Sequence, residues 1–291
     1  MSIFTGSGVA IITPFTQDGV NFDAFAQHIE FQISGGTDAI VVCGTTGEPS
    51  TMTEQEKSDT IRFCVEQVRG RVPVIAGAGG NNTKKAIDDS KKAQELGADA
   101  LLHVTPYYNK CTQSGLLAHF NAIADAVSIP IVVYNVPSRT GVNALPETVK
   151  KITAHKNVVA IKEASANIEQ ITELARLCPD LDIYSGNDDH ILPLLSLGGK
   201  GVISVLANVA PRPTHDIVAA FMAGDIQHSR QLQFQYNPLV KALFSEVNPI
   251  PVKAAVGMLG FDVGEPRLPL TPLSPAPMGT LKKEMAALGL L

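Results

Sequence analysis

Short apolar runs recur along the chain with amphipathic segments between them. Eight of these runs read as strands: Val9 to Thr13, Ala39 to Cys43, Val74 to Gly77, Ala100 to Thr105, Ile131 to Asn135, Val158 to Lys162, Leu181 to Ser185 and Val202 to Leu206. They are near-continuously apolar rather than alternating, as parallel strands covered on both faces should be. Between them Phe22 to Ser34, Glu54 to Val68, Thr83 to Leu96, Gln113 to Ala126, Pro146 to Ala154, Ile168 to Leu177 and Ile191 to Leu197 carry apolar residues at helical spacing. Strands alternating with helices predict an α/β chain with a parallel sheet. The count of eight predicts closure into a (β/α)8 TIM barrel. Local signals agree: Thr53 to Glu56 spells a capping box, Asn82 can cap the next helix, and Gly97 and Gly198 mark helix ends.

After Asn208 the pattern changes to helices without strands: Thr214 to Ala223, Ile226 to Phe244, Val252 to Leu259 and Thr280 to Leu288. Residues 264–277 hold Pro266, Pro269, Pro272, Pro275 and Pro277, which predicts an extended surface connector. The expected organisation is therefore a barrel over residues 1–224 and a C-terminal helical extension over residues 225–291.

With 291 residues, 45% of them hydrophobic, the chain can build one large core. A net charge of -5 offers no basic field for phosphate backbones or anionic lipid, so neither nucleic-acid nor membrane partners are expected. No apolar run approaches the length of a membrane span, and the N-terminus lacks the basic head and apolar block of a secretory leader; a cytoplasmic location is expected. The four cysteines form no C-x-x-C pair and the seven histidines no H-E-x-x-H spacing, so no metal is expected. Gly77 to Asn82 nearly spells a dinucleotide-binding loop but ends in Asn82, and is read as a barrel loop. Lys84, Lys85, Lys91 and Lys92 interleave with Asp88, Asp89 and Glu95 as a solvated helix face.

The candidate chemistry lies at the strand ends, where barrels of this type carry their working groups. Lys162 interrupts an apolar strand. Its ammonium must snorkel, pair with a neighbour such as Glu163, or lose its proton, and a free amine there could attack a carbonyl carbon. After the second strand, Gly44-Thr45-Thr46-Gly47-Glu48 is either a cradle for a small carboxylate or a glycine-rich turn. Tyr107, Tyr108 and Tyr134, three of five tyrosines, cluster at two strand ends as phenolic proton carriers or aromatic plugs. Arg139 offers a planar fork for a carboxylate or is a surface cation. Together these residues suggest Schiff-base chemistry on a small keto acid.

The segments Gly44 to Glu48, Thr105 to Asn109, Tyr134 to Gly141, Ile161 to Ala164 and Asn248 to Lys253 resemble, in order and over nearly the whole chain, the dihydrodipicolinate synthase family of pyruvate-dependent aldolases. The resemblance implies that Lys162 condenses with pyruvate and that the enamine attacks aspartate semialdehyde in the branch leading to lysine and diaminopimelate. It implies a proton relay of Thr45, Tyr134 and Tyr108, the last reaching into a neighbouring subunit. Thr46 would hold the pyruvate carboxylate and Arg139 that of the semialdehyde, with Gly186 and Ile203 lining the pocket. It further implies a homotetramer built from two tight dimers, and no cofactor beyond the covalent adduct. One departure concerns the interface pocket where lysine inhibits some members. Asn81 and Tyr107 match, but Glu54, Lys57 and Lys85 stand where histidines and a glutamate hold the effector, so weak feedback inhibition is expected. A sister aldolase, such as N-acetylneuraminate lyase or a keto-sugar-acid aldolase, and a non-catalytic keto-acid-binding protein are the alternatives.

Overall fold

In the computed structural model, which describes residues 2–291, the eight apolar runs form one parallel sheet that closes on itself in chain order. The strands are β1 (Gly6–Ala10), β2 (Ala39–Val42), β3 (Val74–Gly77), β4 (Ala100–Val104), β5 (Ile131–Asn135), β6 (Val158–Glu163), β7 (Asp182–Ser185) and β8 (Gly201–Ser204). Around them run α1 (Phe22–Ser34), α2 (Glu54–Val68), α3 (Thr83–Glu95), α4 (Gln113–Ala124), α5 (Pro137–Thr140), α6 (Pro146–Ile152), α7 (Ile168–Leu177), α8 (Ile191–Ser196) and α9 (Pro211–Met222). The helices α10 (Ile226–Leu243), α11 (Ile250–Met258) and α12 (Pro275–Ala287) follow. A TIM barrel with added C-terminal helices is thus the architecture.

Each strand buries side chains on both faces, which is why its sequence does not alternate. Val9, Ile40, Val42, Leu101 and Val133 pack outward against Phe25, Ile61, Leu116 and Phe120 of the helices. Ala10, Val41, Ile75, Leu102, Val132 and Ile203 fill the barrel interior. Full burial of each Val, Leu, Ile or Phe among them is worth roughly 2 kcal/mol. Closure falls where glycine meets glycine: Gly6 of β1 pairs with Gly201 of β8, and a Cβ on Gly201 would lie 1.8 Å from the Gly6 carbonyl oxygen.

The capping box at Thr53 forms, with Glu56 N donating to Thr53 Oγ1 at 3.1 Å and Thr53 N to Glu56 Oε2 at 2.8 Å. Asn82 caps α3 through Lys85 N, and Lys85 pairs with Asp89 at 2.8 Å along that solvated face.

Two strand boundaries shift from expectation because side chains claim the backbone. β1 lies at Gly6–Ala10 rather than Val9 to Thr13, and beyond it Ile12 N donates to Asn208 Oδ1. β8 ends at Ser204 because the Val205 and Leu206 amides turn to Asp188 Oδ2. The proline-rich connector is also shorter than expected: it ends at Ser274, and Pro275 and Pro277 lie in α12. Proline lacks only a donor that the first helical turn leaves unpaired anyway, so it starts helices as readily as it breaks them. The same effect moves the starts of α9 to Pro211 and of α11 to Ile250, and creates α5 in a segment to which the sequence pattern assigned no element.

The C-terminal helices sit over the mouth of the barrel. Ile12 beyond β1 and Val205 and Leu206 beyond β8 join Leu239, Leu243, Val252, Val256, Leu281 and Met285 in a second apolar cluster. The connector before α12 is pinned rather than loose, since Arg267 forms a two-pronged pair with Glu56 at 2.6 and 2.9 Å and lies over the Phe15 ring.

Candidate active site

The placement of Lys162 begins with an irregularity earlier in its own strand. β5 pairs Ile131 with Val158 but Val132 with Ala160, so β6 carries one extra residue at Val159. Without that bulge, Val158 and Ala160 would share a face. Instead Val158 packs outward against the helices and Ala160 inward, and the strand beyond it keeps the new phase. Lys162 therefore stands in the interior, paired in register with Tyr134 of β5 and Tyr184 of β7. Glu163 takes the outer face, where its carboxylate accepts from Asn135 Nδ2 at 3.0 Å and from Ser165 N at 2.6 Å. It is not the partner of Lys162.

The Lys162 side chain is 5% exposed, and its Nζ lies 4.5 Å from the centre of the Tyr134 ring. Among the described residues no hydrogen bond or ion pair satisfies that amine. Burial lowers its pKa to about 8, with Asp188 pulling upward and Arg139 adding to the depression. At pH 7 about one amine in ten is then free, against roughly one in a few thousand for an ordinary lysine. Burial likewise pushes the Tyr134 phenol up to about 12, so it stays protonated and can donate.

The loop after β2 supplies the hydroxyls. Thr45 is exposed at the mouth and Thr46 is buried, its Oγ1 accepting from Asn248 Nδ2 at 3.0 Å. Arg139, in α5, is exposed and donates from Nη2 to the Asn248 carbonyl at 3.2 Å. Gly186 follows β7 and backs directly onto the lysine: a Cβ there would lie 2.6 Å from Ala164 Cβ and 3.2 Å from Lys162 Cε. Ile203 is fully buried on the inner face of β8. Thr45, Tyr134 and Arg139 border a cavity of about 280 Å³, large enough for a small keto acid.

Glu54, Lys57 and Tyr107 border the same cavity from the other side. Glu54 is held between Lys57 at 3.2 Å and Lys85 at 3.0 Å, and these cations keep its carboxyl below the usual range. Asn81 donates to the Tyr107 carbonyl. Tyr108 is not gathered with the Lys162 group within the chain; it is 90% exposed, with a left-handed backbone at φ +70°.

Three residues to which sequence reasoning gave no individual role belong to this assembly. Asp188, read only as part of a polar loop, is buried, holds the Val205 and Leu206 amides on Oδ2, and interacts electrostatically with Lys162. Asn248 joins Thr46 to Arg139, and Lys253 makes a fully buried pair with Glu48 at 2.7 Å. Their signal in the sequence was faint: a lone polar residue in a loop, and a lysine inside an apolar helix.

Comparison with known proteins finds relatives over nearly the whole chain. The profile of the Dihydrodipicolinate synthetase family matches residues 3–288. The 4-hydroxy-tetrahydrodipicolinate synthase of Caldicellulosiruptor bescii is 60% identical over 291 residues, covering 100% of this chain and 99% of that one. The crystal structure of dihydrodipicolinate synthase from Thermotoga maritima superposes with a TM-score of 0.97 at 44% identity, covering 100% of both chains. A structure described as the first monomeric dihydrodipicolinate synthase variant also reaches 0.97 at 44% identity, over 99% of this chain and 98% of that one. The chain is a member of the dihydrodipicolinate synthetase family.

Proposed function

We propose that the protein is a 4-hydroxy-tetrahydrodipicolinate synthase, a lyase that condenses pyruvate with aspartate semialdehyde through a Schiff base on Lys162. The observation that carries this reading is a buried amine of lowered proton affinity set against a protonated phenol, and that phenol borders, with Thr45 and Arg139, a cavity that can take a small keto acid. Similarity to synthases of that name supports it.

The free Lys162 amine attacks the ketone carbon of pyruvate, and the carbinolamine oxygen leaves as water once it has taken a proton from the Tyr134 hydroxyl. Loss of a methyl proton from the resulting imine gives an enamine. Its terminal carbon bonds to the aldehyde carbon of the semialdehyde, whose oxygen accepts a proton. The amino group of the semialdehyde then adds to the imine carbon and displaces Lys162, closing the ring and restoring the amine. One water is released overall, and no cofactor besides the covalent adduct enters the scheme.

In this reading Thr45 and Tyr134 relay protons, with Tyr108 supplied by a neighbouring subunit. Thr46 and adjacent amides hold the pyruvate carboxylate, Arg139 that of the semialdehyde, and Gly186 and Ile203 shape the pocket. Residues 1–224 form the catalytic barrel and 225–291 the helical extension that braces its mouth. The enzyme works in the cytoplasm as a homotetramer of two tight dimers; the exposure of Tyr108 suits such a role. No helix among the described residues is long and apolar enough to cross a membrane. Glu54, Lys57 and Lys85, with Asn81 and Tyr107, form a degenerate effector pocket that does not bind lysine tightly. The reading is tested by assaying purified protein with both substrates: turnover that Lys162→Ala lowers by at least about a thousandfold is expected, and absence of wild-type turnover would refute it.

A further inference from the structure

We propose that Asn248 is a positioning residue that sets the direction of the Thr46 hydroxyl and thereby the affinity for pyruvate; this rests on the role given to Thr46 above. Asn248 is 6% exposed and lies outside the barrel sequence, just before α11. Its side-chain Nδ2 donates to Thr46 Oγ1 at 3.0 Å, while its main-chain carbonyl accepts from Arg139 Nη2 at 3.2 Å. One residue thus touches both groups assigned to substrate carboxylates.

The polarity of the first contact matters. A threonine hydroxyl has one hydrogen, and an N–H directed at its oxygen occupies a lone pair and forces that hydrogen elsewhere. The Thr46 hydroxyl donates to no group among the described residues, so its hydrogen remains available to a ligand carboxylate. Asn248 makes this contact while its own Oδ1 is buried without a partner among the described residues, an arrangement that costs stability. The contact is also held rigidly. Lys253, in the first turns of α11, pairs with Glu48, two residues beyond Thr46, at 2.7 Å, and Glu48 Oε2 accepts from Arg267 N at 3.0 Å. Each side of the Asn248–Thr46 bond is therefore anchored to the other.

The test is steady-state kinetics on the full-length enzyme and its Asn248→Ala, Asn248→Asp and Thr46→Val variants, with the Asn248→Ala/Thr46→Val double variant. Asn248→Ala is expected to raise the pyruvate KM about tenfold while kcat changes less than about threefold. Asn248→Asp, nearly identical in shape, should be at least as impaired, because a carboxylate turns the threonine hydrogen toward itself and places a charge near the incoming anion. The double variant should match Thr46→Val, since Asn248 acts through that hydroxyl. A pyruvate KM within about twofold of wild type in Asn248→Ala, wild-type affinity in Asn248→Asp, or multiplying effects in the double variant would each overturn the proposal. A wild-type enzyme that turns over both substrates while these variants behave as wild type overturns only the role of Asn248; a wild type that fails to turn over overturns the function above with it.

Discussion

Lys162 is where a small change in environment has the largest chemical effect. Its pKa in the folded chain, about 8, lies below its unfolded value, so the native state binds that proton less tightly than the unfolded chain does. The sign follows. Burial of the amine costs stability in full below about pH 8, and the cost is relieved as pH rises toward the unfolded value. Lys162→Met is therefore expected to abolish turnover yet stabilise the protein at pH 7 by about 2 kcal/mol, read as a raised unfolding temperature. A destabilised Met variant would contradict the view of this amine as a strained functional group. On the kinetic side, kcat/KM for pyruvate should rise with pH and level off above about 8, following the free amine. Gly186 makes the complementary case by space alone. Gly186→Ala would press its methyl onto Ala164 Cβ and Lys162 Cε, and should lower kcat by roughly ten- to a hundredfold with a loss of about 1–3 kcal/mol in stability, measured by assay and denaturant melt. The sequence disclosed Lys162 because a charge breaking an apolar strand is conspicuous. It did not disclose that Glu163 would face away, since that depends on a single extra residue in β6, and bulges leave no periodic trace.

Between elements, the bond that matters most is the one joining the loop after β2 to α11. Glu48 and Lys253 are both about 1% exposed and pair at 2.7 Å, with Lys253 Nζ 4.2 Å from the Phe15 ring centre. Burial depresses the Lys253 ammonium and Glu48 opposes that. Lys253→Met leaves a carboxylate buried without its cation and is expected to cost about 3–5 kcal/mol, part of it recovered by adding Glu48→Gln. Chemical denaturation of the two variants checks this, and an unchanged midpoint in Lys253→Met would rule out a structural role for the pair. The strands and major helices were legible in the sequence because their apolar spacing differs sharply. Helix starts at Pro211, Ile250 and Pro275 were not, since proline signals a break and a beginning with the same residue. The ends of β1 and β8 escaped for another reason: distant side chains, Asn208 and Asp188, take over their backbone groups, and nothing local announces it.

At the scale of the whole molecule, the barrel brings together strand ends that lie more than a hundred residues apart, and the C-terminal helices seal one side of its mouth. Sequence spacing located the groups on the strand ends; it did not show that Asn248 and Lys253 would bond to Thr46 and Glu48 in the loop after β2, because those partners lie about two hundred positions away. The far side of the cavity carries the regulatory prediction. With the Glu54 carboxylate engaged by both Lys57 and Lys85, an added ammonium finds no free partner and meets like charge, so submillimolar lysine should leave turnover unchanged. Strong inhibition of the purified protein in that range would overturn this prediction. The proposed reaction depends on the amine of Lys162 as its nucleophile. Incubation with pyruvate and borohydride, followed by peptide mass spectrometry, reads that role on the residue itself. A reduced pyruvate adduct on Lys162, absent in Lys162→Ala, is the predicted result; no adduct, or one on another lysine, would contradict it.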